Sequence, residues 1–183
     1  MDIKIFDNRI LAPSKCGTRY LRKVYTDSRF DINVHGVDTI THIIIRNPYE
    51  HFESAIHTEY LNYTNTPIDI NHIILGASSK NGIGHWHPNT YQFLHSIFIK
   101  NSKIQIVELS NLSSFLKSEG HLVDYVKSEY DWSNLDEWKS KDEIIMQLKL
   151  EFEDQFKIIN QKLKTEFKYY NKLLMMDITK SLI

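Results

Sequence analysis

The sequence predicts an α/β fold: three layers around a central, mainly parallel sheet, followed by a helical C-terminal part. Three observations predict it. Apolar runs of strand length, rich in β-branched residues, are spaced along the first two thirds of the chain. The first two of these runs lead into helical periodicity, the alternation that builds a parallel sheet through crossover helices. The last proline is Pro88 and the last glycine Gly120, so the final third lacks both breakers and favours helix.

The strand candidates are Arg9–Pro13, Thr41–Ile45, His72–Leu75 and Lys103–Leu109. After the first, Thr18–Tyr25 places Leu21, Val24 and Tyr25 on one helical face. After the second, Tyr49–Tyr60 places Phe52, Ile56 and Tyr60 four residues apart. After the fourth, Asn111–Glu119 reads as a short helix with Gly120 as its left-handed C-cap. Ser140-Lys-Asp-Glu143 is a capping box, and behind it Ile145, Leu148, Phe152, Phe156, Ile159, Leu163, Phe167, Tyr170 and Leu174 form one apolar stripe. The stripe suits one long helix or two in series, packed on the sheet. A coiled-coil homodimer seam through this C-terminal helix is the alternative, since the stripe spans about four heptads. The expectation is one domain over 1–183, with an α/β core at 1–120 and the helical part at 121–183.

Composition narrows the class. At 183 residues, 42% hydrophobic and 25% charged, the chain can bury a core and is not disordered. A formal net charge of −1 provides no global field for nucleic acid. No apolar run approaches the ~20 residues that cross a bilayer, and the opening MDIKIFDNRI has no apolar signal core. The expectation is a soluble, cytoplasmic protein with no nucleic-acid or membrane partner. The single cysteine, Cys16, excludes an intramolecular disulfide and a cysteine-based zinc site.

Two segments carry chemistry. The first strand runs into Pro13-Ser-Lys-Cys-Gly-Thr-Arg19. A glycine there lets backbone approach an anion, and a following helix offers free N–H groups. Lys15, Arg19, Arg22, Lys23 and Arg29 stand against one acid, Asp27, between positions 15 and 29. Lys15 precedes Gly17, so this is not the nucleoside-triphosphatase loop, in which the lysine follows the second glycine. The second segment is Arg46-Asn-Pro-Tyr-Glu-His-Phe-Glu-Ser-Ala55. It places an arginine at a strand end, where open α/β sheets bind ligands, and a serine two helical turns on.

The first segment resembles the 5′-phosphosulfate loop of sulfotransferases, P-K-x-G-T-[TS]. The second resembles their 3′-phosphate motif, [VI]-R-[DN]-P-x-[ED]-R-x-x-S-A, with His51 where the family often has Arg. Gly84-His-Trp-His-Pro88, Gln92 and the strand ending at Glu108 are similar to stretches of carbohydrate sulfotransferases of the chondroitin/dermatan type. Val107 stands where the family often has an aromatic, and no arginine follows Arg46.

The resemblance implies a P-loop-like fold and transfer of a sulfuryl group from 3′-phosphoadenosine 5′-phosphosulfate (PAPS) to a hydroxyl, on a glycan or small molecule, or to an amine. The product is 3′-phosphoadenosine 5′-phosphate (PAP), and no metal is needed. It assigns Lys15, Cys16, Gly17, Thr18 and Arg19 to the 5′-phosphate, with Lys15 also stabilising the leaving phosphate. Arg46 and Ser54 go to the 3′-phosphate. A histidine would take the acceptor's proton. His35, between the two phosphate motifs, is the first choice and His85 the second; His42 lies within a strand. His85 and His87, two residues apart, make a poor structural zinc pair. Trp86 and the tyrosines are candidates for the adenine by residue type only. The competing readings are a non-catalytic PAP- or phosphate-binding module and a small P-loop nucleotide kinase.

Overall fold

The computed structural model describes residues 2–61, 70–122 and 141–181. Five strands, β1 (Ile3–Phe6), β2 (Ile10–Pro13), β3 (Asp27–Arg29), β4 (His42–Ile45) and β5 (Gln105–Glu108), form one open sheet in the order β3-β1-β2-β4-β5. The sheet is mixed rather than mainly parallel. β2, β4 and β5 are parallel neighbours, whereas β1 pairs antiparallel with both β2 and β3.

The difference begins at a hairpin. Asp7 (φ 46) and Asn8 (φ 57) both take left-handed conformations, and the Arg9 N–H closes the turn on the Phe6 carbonyl at 3.0 Å. A two-residue turn of this hand matches the twist of the strands it joins, and Asp and Asn tolerate it best after glycine. It folds Ile3–Phe6 back on β2, so the sheet gains an antiparallel wing.

Alternation then sorts the core onto two faces. Ile5, Leu11, Ile43 and Ile45 meet α5 (Thr90–Phe98) and α8 (Glu153–Ser181). Phe6, Ile10, Ala12 and Ile44 meet α1 (Thr18–Leu21) and α6 (Leu112–Ser118). The two faces make three layers, as the sequence predicts. A short helix, α2 (Ile32–His35), leads from β3 towards β4. A third cluster, with no strand residue in it, joins α3 (Pro48–Leu61), α4 (Ile70–Ser78), α7 (Lys141–Glu151) and α8 around the buried Trp86.

The segment His72–Leu75, expected as a strand, is instead part of helix α4. A short apolar run fits either period; here Ile73, Ile74 and Ala77 bury against Phe52 and Ile56 while Leu75 is exposed. The helix expected over Thr18–Tyr25 stops at Leu21 and continues as turns to Tyr25. Gly120 (φ 86) does end α6, and the next N–H, of His121, reaches back to the Leu116 carbonyl at 2.8 Å. Ser140, the expected capping serine, lies outside the described residues.

The apolar stripe runs along two helices in series, α7 and α8. It is used within the chain: Ile145, Leu148, Ile159 and Leu163 join the third cluster, Tyr170 the sheet. The polar side of α8 is also put to use. The Lys162 ammonium donates to the Ser78 and Ser79 carbonyls, at 2.6 and 2.5 Å, at the C-terminal end of α4. One turn on, Glu166 Oε2 accepts the Tyr91 N–H at 2.7 Å at the start of α5. The Lys162 ammonium faces the helix end whose partial charge it complements, and the Glu166 carboxyl oxygen satisfies an N–H at the start of α5. No described helix is long and apolar enough to cross a membrane.

Candidate functional site

The site lies where β2 and β4, adjacent and parallel, both end. β2 leads into the turn 13–17 and β4 into Arg46 and α3, so the two motifs are neighbours in space. Ser14 anchors the first turn by donating its hydroxyl to the Asp2 carboxylate and its N–H to the Asp2 carbonyl at 3.0 Å. Lys15 (φ 66) and Gly17 (φ 77) are both left-handed, with Cys16 buried between them. For lysine that conformation costs of order 1 kcal/mol, and such residues cluster at functional turns. Gly17 is required twice over: a Cβ there would meet Leu112 Cδ2 at 2.5 Å and Leu109 Cδ1 at 3.0 Å.

The helix behind this turn is only one turn long, Thr18–Leu21. Its dipole is correspondingly small, because the macrodipole grows by summing aligned peptide units. The attraction for an anion therefore rests on side-chain charge and local N–H groups. Lys15 is pushed down to about 8 by its own desolvation and by the charge of Arg19, with Glu59 pulling up and Arg46 pushing down. Arg46 donates from Nη1 to the Lys15 carbonyl at 3.3 Å and from Nε to Glu50 at 3.3 Å. Those two contacts engage two of the five guanidinium N–H donors. Arg46, Lys15 and Arg19 thus crowd like charge at one sheet edge, which an anion would relieve.

The second motif is built by its cap. Asn47 Oδ1 accepts the Tyr49 N–H at 3.0 Å and Pro48 opens α3, so α3 leaves β4 at a fixed point. Ser54 sits on the second turn, partly buried. His51, at the place where the family often has Arg, is fully buried. Desolvation pushes it down to about 4, so the ring is neutral, and its Nε2–H donates to the His85 carbonyl at 3.2 Å.

His85 is the second residue that this edge draws in. Its Nδ1 stands 2.5 Å from Glu59 Oε1, and its main-chain N–H donates to the same oxygen at 3.1 Å. Glu59 comes from the last turn of α3 and also acts electrostatically on Lys15. Gly84 makes room: a Cβ there would lie 2.9 Å from Glu59 Oε1. His35 is placed differently. It contacts Ser28 at 3.4 Å and the Asp31 carbonyl at 2.9 Å, and stacks on Phe30, beside β3 at the sheet's far edge. Trp86 is closed to a base, being 2% exposed and packed edge-on against Phe52.

Two residues escaped the sequence reading. Glu59 belongs to no motif; its only signal is a carboxylate on the buried side of an amphipathic helix. Tyr91 sits in α5, a helix the sequence analysis does not assign although Pro88 and Asn89 stand just before it. Its hydroxyl donates to the Arg46 carbonyl and accepts the Arg46 N–H at 3.3 Å. An open cleft of about 470 Å³ adjoins Gly84, with Lys4, Arg29 and Asn81 on its walls. Lys4 and Arg29 are cross-strand partners on β1 and β3.

No protein-family model matches the chain, and neither a curated protein nor a solved structure matches it significantly.

Proposed function

We propose that the protein is a PAPS-dependent sulfotransferase built on a P-loop-like core, with the 5′-phosphate on the turn 15–19 and the 3′-phosphate between Arg46 and Ser54. One observation carries the reading. The two motifs that resemble the sulfotransferase phosphate loops are adjacent in space, joined by the Arg46–Lys15 contact at 3.3 Å, at the ends of neighbouring parallel strands. Their order in the chain alone does not require that.

The chemistry follows from charge placement. Sulfuryl transfer, like phosphoryl transfer, is governed by alignment and electrostatic stabilisation. The acceptor oxygen forms a bond to sulfur as the bond from sulfur to the phosphate oxygen breaks. Lys15 meets the charge that develops on that leaving oxygen. His85 takes the acceptor proton at Nε2, because Nδ1–H donates to Glu59 Oε1 and that hydrogen bond fixes the tautomer. His85 is therefore preferred over His35 as the base: Glu59 links it to Lys15, whereas the contacts of His35 are with Phe30, Ser28 and Asp31. The cleft beside Gly84 is the way in for the acceptor.

Calorimetric titration with PAP and with AMP tests the reading. PAP binds more tightly, and Arg46→Ala removes about 1.5–3 kcal/mol of that affinity, the usual worth of a hydrogen bond to a charged group. Equal affinity for the two nucleotides would reject it.

A further inference from the structure

His51 stands where the family motif often has an arginine, and it is 1% exposed. A buried, neutral ring does not replace a phosphate-binding cation, so the position serves something else. Its Nε2 lies 3.2 Å from the His85 main-chain carbonyl. A carbonyl only accepts, so Nε2 carries the hydrogen and His51 is the donor.

Two further side chains of α3 hold the same loop. Phe52 packs edge-on against Trp86, with centroids 5.0 Å apart. Glu59 Oε1 accepts the His85 main-chain N–H at 3.1 Å and contacts the ring at Nδ1. The loop is itself a tight turn: Ile83 and Trp86 exchange main-chain hydrogen bonds of 2.9 and 3.0 Å, which puts Gly84 and His85 at its tip. Both main-chain polar groups of His85 are thus bound to α3, the carbonyl by His51 and the N–H by Glu59. A separation of eight residues keeps two side chains on one side of a helix. The same helix follows directly on Arg46 and carries Ser54, so one rigid element bears the second motif and fixes the histidine.

We propose that His51 is a positioning residue that braces the His85 main chain against α3, so that the imidazole stands at a set distance from the nucleotide. The proposal rests on the reading of His85 as the base of a sulfuryl transfer. Without the His51 donor, Glu59 still binds the ring and the N–H, but the turn pivots about that single oxygen. A misplacement of about 1 Å costs up to 10²-fold in rate. The groups assigned to the phosphates are left as they were.

The experiment measures PAP formation from PAPS, with water as the acceptor, and affinity for PAP and AMP. It compares wild type with His51→Met, His51→Asn and His51→Gln, with a melting curve for each. A glutamine amide places an N–H near the position of Nε2, whereas asparagine stops short of it. Turnover falls roughly ten- to a hundredfold in His51→Met and His51→Asn, PAP affinity is nearly unchanged, and His51→Gln recovers most of the loss. Met and Asn variants that melt lower but keep wild-type turnover overturn the proposal. So does a Gln variant as slow as the Met one, because the donor is then not what matters. A fall in PAP affinity that matches the fall in turnover also overturns it, by placing His51 in the nucleotide site. If His51→Met does not fold, the comparison of Asn with Gln decides. A wild type that binds PAP no better than AMP, or leaves PAPS intact, rejects the function reading and the brace with it, before any variant is compared.

Discussion

His85 Nδ1 lies 2.5 Å from Glu59 Oε1, and the same carboxylate oxygen receives the His85 main-chain N–H at 3.1 Å. The imidazole is thus oriented by one acceptor held at two points. Under the proposed function, replacing His85 with Ala slows PAP formation from PAPS by about 10²–10⁴-fold, the usual contribution of general-base catalysis. Glu59→Gln slows it less and leaves PAP affinity nearly unchanged. A His85→Ala enzyme with full turnover would return the role to His35.

Lys15 connects binding to protons. With its pKa pushed down to about 8 by desolvation and by Arg19, the free protein holds this ammonium only partly charged above that pH. A bound phosphate raises it again. PAP binding near pH 8.5 therefore takes up a proton, seen as a dependence of the calorimetric heat on the ionisation enthalpy of the buffer. In Lys15→Met the uptake disappears and turnover is lost with it. Persistence of the uptake in that variant would place the proton on another group.

Glu166 makes stability fall with pH. Burial holds its carboxyl protonated to about 8 in the folded state, against 4.5 for an ordinary one. The native state binds the extra proton across that window, so stability decreases as pH rises through it, at up to about 1.4 kcal/mol per pH unit. His51 works in the opposite sense, but only below about 6.5, where the unfolded ring becomes charged. Lys15, pushed down to about 8, also works in the opposite sense as pH approaches 8. Glu166 is therefore read from the difference between two proteins: between pH 7 and 8 wild type loses stability relative to Glu166→Gln, and parallel curves would refute the assignment.

Gly17 carries a stability cost of its own when changed. Gly17→Ala places a methyl 2.5 Å from Leu112 Cδ2 in a left-handed backbone. Strain and overpacking together predict a loss of roughly 2–4 kcal/mol. A chemical denaturation midpoint equal to wild type would mean that α6 moves aside at no cost.

The two motifs are legible in the sequence because they are local: a lysine, a glycine and a threonine in a turn, and an arginine at a strand end. β2, β4, β5 and α3 are legible because each has a single clear period. β1 was missed although Asp7-Asn8 between Ile-Lys-Ile-Phe and Arg-Ile-Leu-Ala is a hairpin signal, since four alternating residues are a weak strand pattern alone. His72–Leu75 could not be resolved from four apolar residues, because the deciding contacts are with Phe52 and Ile56 on another helix. Glu59 and Tyr91 reach the site only through tertiary packing, so no spacing rule points to them.

The tie between Glu166 and the start of α5 has a temporal consequence. Tyr91 and Glu166 are separated by 75 residues, and both candidate site motifs precede them in the chain. A chain growing from the ribosome therefore exposes its charged turns long before the helix that steadies them is made. The start of α5, with Tyr91, is among the last parts of the molecule to be fixed in place, and clipping within α8 ahead of Glu166 would remove that tie.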